Sequence, residues 1–282
     1  MIAFLNGRFV HEARAVVSAF DRGFLYGDGV FETLRIVRGL PFQWDAHLAR
    51  LARGADLLGI LAPLTAGELR LAAARLVALN AMADSVLRIT LTRGAGPRGY
   101  SPKGANAPTL VLALHPAPRL AAPKPQRVRL ITAAIRLAAD DPLAAVKTCN
   151  KLPHILARAE AEAAGAEDAL LLNTRGEIAE ATASNIFWFE RERLLTPSSR
   201  TGSLPGITRG IVCELARGLG LRSAVVDKLP GALRKASGVF LTNSVSGIVE
   251  VSRLDGVRVR LSPWTRKLQA AYARLMRSQS EV

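Results

Sequence analysis

Four prolines within ten residues, Pro116, Pro118, Pro123 and Pro125, break the chain near its middle. Proline has no backbone donor and a fixed φ, so this run continues neither a helix interior nor a central strand. On its N-terminal side, residues 1–5 and Arg8-Phe9-Val10 flank Asn6-Gly7 as a hairpin. A strand follows at Val30–Val37, then a helix at 45–59 with Leu48, Leu51, Ala52, Ala55 and Leu58 near one face. A second helix at about 66–80 and strands near 86–93 and 108–114 complete that half. Beyond the prolines come a strand at Arg127–Thr132, an alanine-rich helix at 150–164 and a hairpin around Asn173-Thr174-Arg175-Gly176. Strands at Asn185–Phe189, Leu194–Thr196 and 239–242 follow, with helices from Gly206 and over 263–277. Mixed strands and helices on both sides predict two α/β domains, 1–117 and 126–282, with a linker at 118–125.

Charge narrows the function classes. The 282 residues carry 38 basic and 23 acidic side chains, a formal net charge of +15. Such a balance raises nucleic acid, an anionic membrane or an acidic small molecule as partners. All but seven of the basic residues are arginines, however, and they are dispersed rather than gathered in a stripe interleaved with aromatics. The expectation is therefore no nucleic acid. Cys149 and Cys213 offer neither a disulfide framework nor a metal pattern, and His11, His47, His115 and His154 show no paired-ligand spacing. Met1 to Arg8 reaches a turn before a signal-peptide core can form, and no run approaches membrane-spanning length. The chain reads as cytoplasmic, with no membrane partner and no metal.

Three segments place polar groups where local structure does not require them. In Val146-Lys147-Thr148-Cys149-Asn150, a lysine follows apolar residues at a helix start. Desolvation there lowers an amine's pKa, which suits a Schiff-base lysine. In Glu177-Ile178-Ala179-Glu180-Ala181-Thr182-Ala183, Glu180 precedes small residues that let a flat ligand approach, and its carboxylate suits a ring nitrogen. In Ser203-Leu204-Pro205-Gly206-Ile207-Thr208-Arg209, a helix begins with free amides and a threonine hydroxyl, a cup for phosphate. Each alone is ordinary: a snorkelling lysine, a solvated strand end, a helix cap. Together they supply an amine, an acid and a phosphate cup, the protein half of a pyridoxal-phosphate site.

At these residues the chain resembles the fold-type-IV pyridoxal-phosphate enzymes, which include branched-chain and D-amino-acid aminotransferases and aminodeoxychorismate lyase. The likeness covers nearly the whole chain. Phe20 to Thr33, with Asp21-Arg22-Gly23 and Gly27-Asp28-Gly29, is similar to the family's N-terminal signature. His47-Leu48-Ala49-Arg50-Leu51 resembles its phosphate-binding helix, and Glu180 to Phe187, Thr196-Pro197 and Leu204 to Arg209 follow its C-terminal signature. The resemblance implies an α/β (α+β) two-domain fold, with a small N-terminal α/β domain and a larger, pseudo-barrel-like C-terminal one. It implies pyridoxal 5'-phosphate held covalently by Lys147, which then acts as acid and base. By the same likeness Arg50, Ile207, Thr208 and Ser244 hold the phosphate, Glu180 meets the ring nitrogen and Leu204 packs on the ring. A homodimer acting on a small amine or carboxylate substrate is also implied.

Within that family the patterns separate. Branched-chain aminotransferases carry Asn-Tyr four and five residues after the lysine, where this chain has Lys151 and Leu152. D-amino-acid transaminases present an arginine and a histidine two residues apart, whereas this chain has Arg98 and Tyr100. Arg98-Gly99-Tyr100-Ser101 is closer to the loop of aminodeoxychorismate lyases, as are Asn185-Ile186-Phe187-Trp188 and Thr242-Asn243-Ser244. The expectation is a folate-pathway lyase converting 4-amino-4-deoxychorismate to 4-aminobenzoate and pyruvate, with Phe31, Arg98, Tyr100 and Asn243 at the substrate. A D-amino-acid aminotransferase stands second and a branched-chain aminotransferase third.

Overall fold

The chain divides into two units, the first comprising Met1–Pro118, Val146–Asn150 and Met276–Val282, the second Arg119–Ala145 and Lys151–Leu275. The computed structural model describes residues 1–118 and 127–279, so the linker expected at 118–125 lies, beyond Pro118, outside the described residues. Val146–Asn150, expected with the second domain, groups with the first.

The first unit is built on six antiparallel strands. They are β1 (Ile2–Leu5), β2 (Arg8–His11), β3 (Gly29–Val37), β4 (Leu40–Pro41), β5 (Ser85–Thr92) and β6 (Thr109–Pro116), in the order β2-β1-β6-β5-β3-β4. The helices are α1 (Arg22–Tyr26), α2 (Trp44–Leu58) and α3 (Ala66–Asn80). Alternation sends Val30, Leu34 and Ile36 of β3 and Leu87, Ile89 and Leu91 of β5 into one core with Leu48, Leu51 and Leu76 of the helices. Helix α3 starts on a capping box, Thr65 with Glu68. Helix α2 ends at Gly59, whose φ of 65° is the left-handed conformation that glycine adopts without strain. The buried face of α2 differs from the apolar stripe expected: Ala52 is exposed, while His47 and Arg50 are buried.

The second unit carries nine strands: β7 (Arg127–Leu137), β8 (Asp168–Asn173), β9 (Ile178–Ala181), β10 (Asn185–Glu190), β11 (Arg193–Pro197), β12 (Arg222–Val226), β13 (Val239–Asn243), β14 (Gly247–Leu254) and β15 (Val257–Arg258). Their order is β12-β11-β10-β13-β14-β7-β8-β9, with β15 on β14. Pairings of β11 with β12, β14 with β7 and β7 with β8 are parallel, and the rest antiparallel. Strand β9 also packs against β10 and β11, so the sheet curls back on itself. That is the pseudo-barrel-like α/β architecture expected. Helices α4 (Leu152–Ala163), α5 (Ile207–Gly218), α6 (Gly231–Lys235) and, up to Leu275, α7 (Pro263–Ser278) complete it. Ala157 and Ala161 of α4 lie on Ala133, Ala169 and Leu171; small side chains there let helix and sheet approach closely.

Candidate active site

In the first unit, Lys147 is placed by a strand-like contact. The amide of Phe31 donates to the Lys147 carbonyl and that of Cys149 to the Gly29 carbonyl, both at 2.9 Å, and Val30 bridges Thr148. Pairing of Val30 with Thr148 sets Phe31 opposite Lys147, on the same face of the sheet. The same parity sends Val146 into the helical core, beside Val30 and Leu34. The lysine Nζ lies 4.6 Å from the centre of the Phe31 ring, and the Arg88 guanidinium 3.9 Å from the same centre. Burial lowers the Arg88 pKa, although the Cys149 sulfur works the other way. A half-buried amine against an aromatic face is an environment that suits a nucleophilic lysine.

One residue along β3, the side chain turns to the helical face. Glu32 there is fully buried and takes Arg50 in a two-pronged grip, Nε to Oε1 at 2.7 Å and Nη2 to Oε2 at 2.8 Å. His47 Nδ1 sits 2.7 Å from Oε2. Burial works to raise the Glu32 pKa, but the hydrogen bonds from Arg50 and His47 prevail and hold it down at about 2. Arg50, expected at a phosphate, is thus held by a carboxylate here.

The Arg98–Ser101 loop hangs on another buried guanidinium. Arg22 donates to the carbonyls of Gly99 at 2.8 Å, Tyr100 at 3.1 Å and Ser101 at 3.1 Å, and to Asp28 Oδ2 at 2.8 Å. Its own orientation is set by Tyr26, whose ring lies 5.0 Å from its Cζ and 5.6 Å from the Tyr100 ring. The Arg98 side chain is exposed and that of Tyr100 is 88% exposed.

In the second unit, Glu180 lies on β9 and is 8% exposed. Its Oε2 accepts from the Leu204 amide at 3.0 Å, and its Oε1 lies 3.0 Å from Nε2 of His154 on α4. Asn185 fixes the same turn, donating from Nδ2 to the Leu204 carbonyl at 2.7 Å and to Ser203 Oγ at 3.1 Å. A Cβ on Gly206 would lie 2.0 Å from Asn185 Oδ1, so only glycine lets the chain pass into α5. Helix α5 then begins with no side-chain cap, leaving the amides of its first turn without a capping acceptor. Thr208 Oγ1 stands 3.4 Å from Ser244 Oγ at that end. Asn243 is turned elsewhere, donating to Ser184 Oγ at 2.9 Å and accepting from the amides of Val245 and Ser246.

The structure therefore brings Phe31 to Lys147, and Glu180 to Leu204, while Thr208 meets Ser244. It adds His154, Glu32, Arg88, Asn185 and Arg22, which are not among the site residues expected from the sequence. Arg22 and Glu32 fall inside the Phe20–Thr33 motif, which is a signal for both. Nothing local marks His154. A carboxylate with two donors suits a protonated ring nitrogen, and an uncapped helix start with two hydroxyls suits a phosphate, so these residues fit pyridoxal phosphate.

The sequence profile of the amino-transferase class IV family matches residues 29–254. A provisionally named branched-chain-amino-acid aminotransferase of Methanocaldococcus jannaschii is 37% identical over 91% of this chain and 88% of its own length. The crystal structure of 4-amino-4-deoxychorismate lyase from Pseudomonas aeruginosa aligns with a TM-score of 0.83 and 35% identity, covering 95% of this chain and 97% of that one. That of the branched-chain aminotransferase from the archaeon Thermoproteus uzoniensis, with norvaline, aligns with a TM-score of 0.92 and 28% identity, over 100% and 96% of the two chains.

Proposed function

The chain belongs to the amino-transferase class IV family, and on that premise we propose that it is a pyridoxal-phosphate-dependent aminodeoxychorismate lyase. The observation that carries the choice is the loop Arg98-Gly99-Tyr100-Ser101, held by Arg22 through three carbonyls with the Arg98 and Tyr100 side chains exposed. It offers a guanidinium and a phenol for a substrate's carboxylates. The likeness to the Pseudomonas aeruginosa lyase, at 35% identity over nearly both chains, supports the same reading.

When bound, pyridoxal phosphate supplies an electron-accepting ring that makes the proton on an amine-bearing carbon acidic. Lys147 holds the cofactor through its Nζ and afterwards takes that proton. Glu180 keeps a proton on the ring nitrogen, with its two oxygens fixed from Leu204 and His154. The first amides of α5, from Ile207 and Thr208, and the hydroxyls of Thr208 and Ser244 receive the phosphate. Arg50 adds its positive charge, oriented by Glu32. Leu204 would pack on the ring, and Phe31 would join Arg98 and Tyr100 at the substrate, with Asn243 bracing that side through Ser184. The products are 4-aminobenzoate and pyruvate.

Transamination is the second reading, favoured by the 37% identity with the Methanocaldococcus protein. It uses the same lysine and glutamate, so the cofactor residues do not separate the two. Val16, Phe20 and Phe24, exposed within a short stretch of sequence, support a homodimer, since large exposed apolar side chains seek cover. Among the described residues no helix is long and apolar enough to cross a membrane. The deciding experiment supplies 4-amino-4-deoxychorismate with no keto acid. The lyase yields 4-aminobenzoate; absence of that product, with keto-acid-dependent turnover of D-alanine or a branched-chain amino acid, overturns the assignment.

A further inference from the structure

His154 stands on the third residue of α4, a helix whose Ala157 and Ala161 are packed into the core. It is thus anchored on regular secondary structure rather than on a loop. Its Nε2 lies 3.0 Å from Glu180 Oε1, and the two side chains are only 14% and 10% exposed. An ionised carboxylate accepts and does not donate, so the proton on this contact belongs to Nε2. The other ring nitrogen, Nδ1, is buried and has no hydrogen-bond partner among the described residues. A proton there would be a buried donor without an acceptor, which is unfavourable. The Nε2–H tautomer satisfies this contact and asks nothing of Nδ1.

The kind of donor matters for what Glu180 can do. Its two donors are the His154 imidazole and the Leu204 amide, and neither is a permanently charged group. They fix the plane of the carboxylate without cancelling its negative charge. We propose that His154 is a positioning residue, which orients Glu180 toward the cofactor's ring nitrogen while leaving its charge free to keep that nitrogen protonated. The inference rests on the reading that Glu180 meets the ring nitrogen. A lysine at the same place would have the reach but would bring a permanent charge.

The test uses the full chain loaded with pyridoxal phosphate labelled with 15N at the ring nitrogen. Its readouts are the 15N resonance, the cofactor dissociation constant and the melting temperature without cofactor. His154→Leu should weaken cofactor binding about tenfold, the loss expected for a hydrogen bond to a charged group, and shift the resonance toward the unprotonated position. His154→Gln, which can still donate to Oε1, should restore both. His154→Lys should shift the resonance at least as far as leucine does, because its charge competes for the carboxylate. If His154→Leu does not fold, His154→Asn, polar but too short to reach Oε1, takes its place. An unchanged resonance in His154→Leu, or a loss that glutamine does not rescue, overturns the role of His154. Glu180→Ala separates the premise from the inference. If that variant leaves the resonance and the affinity unchanged, the reading of Glu180 itself fails; if it loses both while His154→Leu loses neither, only the inference fails.

Discussion

Two buried glutamates, each with a histidine beside it, serve opposite ends. Glu32 has three donors on its two oxygens, and one partner is the permanently charged Arg50 in a two-pronged grip. Its charge is answered within the protein. Glu180 has two donors, one on each oxygen, and neither is permanently charged. Its charge is left for something else to answer. A buried carboxylate without a cation is costly, and such sites are retained where a ligand completes them. The difference teaches that burial and a histidine partner do not mark a functional carboxylate. What marks it is the missing countercharge.

The largest effect should come from the open member of the pair. Glu180→Gln keeps the shape and removes the charge, so turnover should fall by about a hundred- to a thousandfold, the scale of losing one preorganised electrostatic group. Its melting temperature should stay close to that of the parent. A large loss of stability with little loss of turnover would reverse the roles assigned to the two glutamates.

Glu32→Gln should act first on stability. Removing one partner from a buried ion pair takes this carboxylate from Arg50, and the cost should be about 3 kcal/mol of unfolding free energy, read from urea denaturation. Acid makes the same point in the parent chain. The Glu32 pKa is about 2 in the folded state and near its ordinary 4.5 once exposed. Its stabilisation is complete above the unfolded value and fades as pH falls from about 4.5 toward 2. Stability of the parent should drop through that window, and the Glu32→Gln variant should show a shallower drop.

A third glutamate sharpens the contrast at the small end. Glu167 also has a pKa of about 2, from its hydrogen bonds with Arg129, yet its side chain is 42% exposed. Solvent screens such a pair, so Glu167→Gln should leave both turnover and melting temperature within experimental scatter. The same depressed pKa would then carry stability in one place and none in another, as burial requires.

How much of this is legible in the sequence follows from the range of each signal. Helices α2, α3 and α5 and strands β3, β5 and β10 show in local periodicity and turn residues, which neighbouring positions carry. Five-residue α1 and α6 are too short for a helical period to register. Strand β14 lies outside the strands expected, although Ile248 to Val251 is largely apolar, and β12 has little beyond Val225-Val226. The exposed Ala52 beside the buried Arg50 shows the limit of counting apolar residues: Glu32, eighteen positions earlier, recruits polar side chains to that face. Lys147 reads as the approach to a helix start, yet residues 147–149 pair with β3, and the pairing parity that puts Lys147 beside Phe31 is a tertiary fact. The Glu180 contact with His154 spans 26 positions between a strand and a helix, so no local pattern announces it.

All of these roles hang on one amine. Borohydride reduction of the enzyme loaded with pyridoxal phosphate, followed by peptide mass mapping, reads directly where the cofactor is attached. The account predicts the pyridoxyl group on Lys147 alone among the seven lysines. A label on any other lysine, or none after full loading, would contradict it.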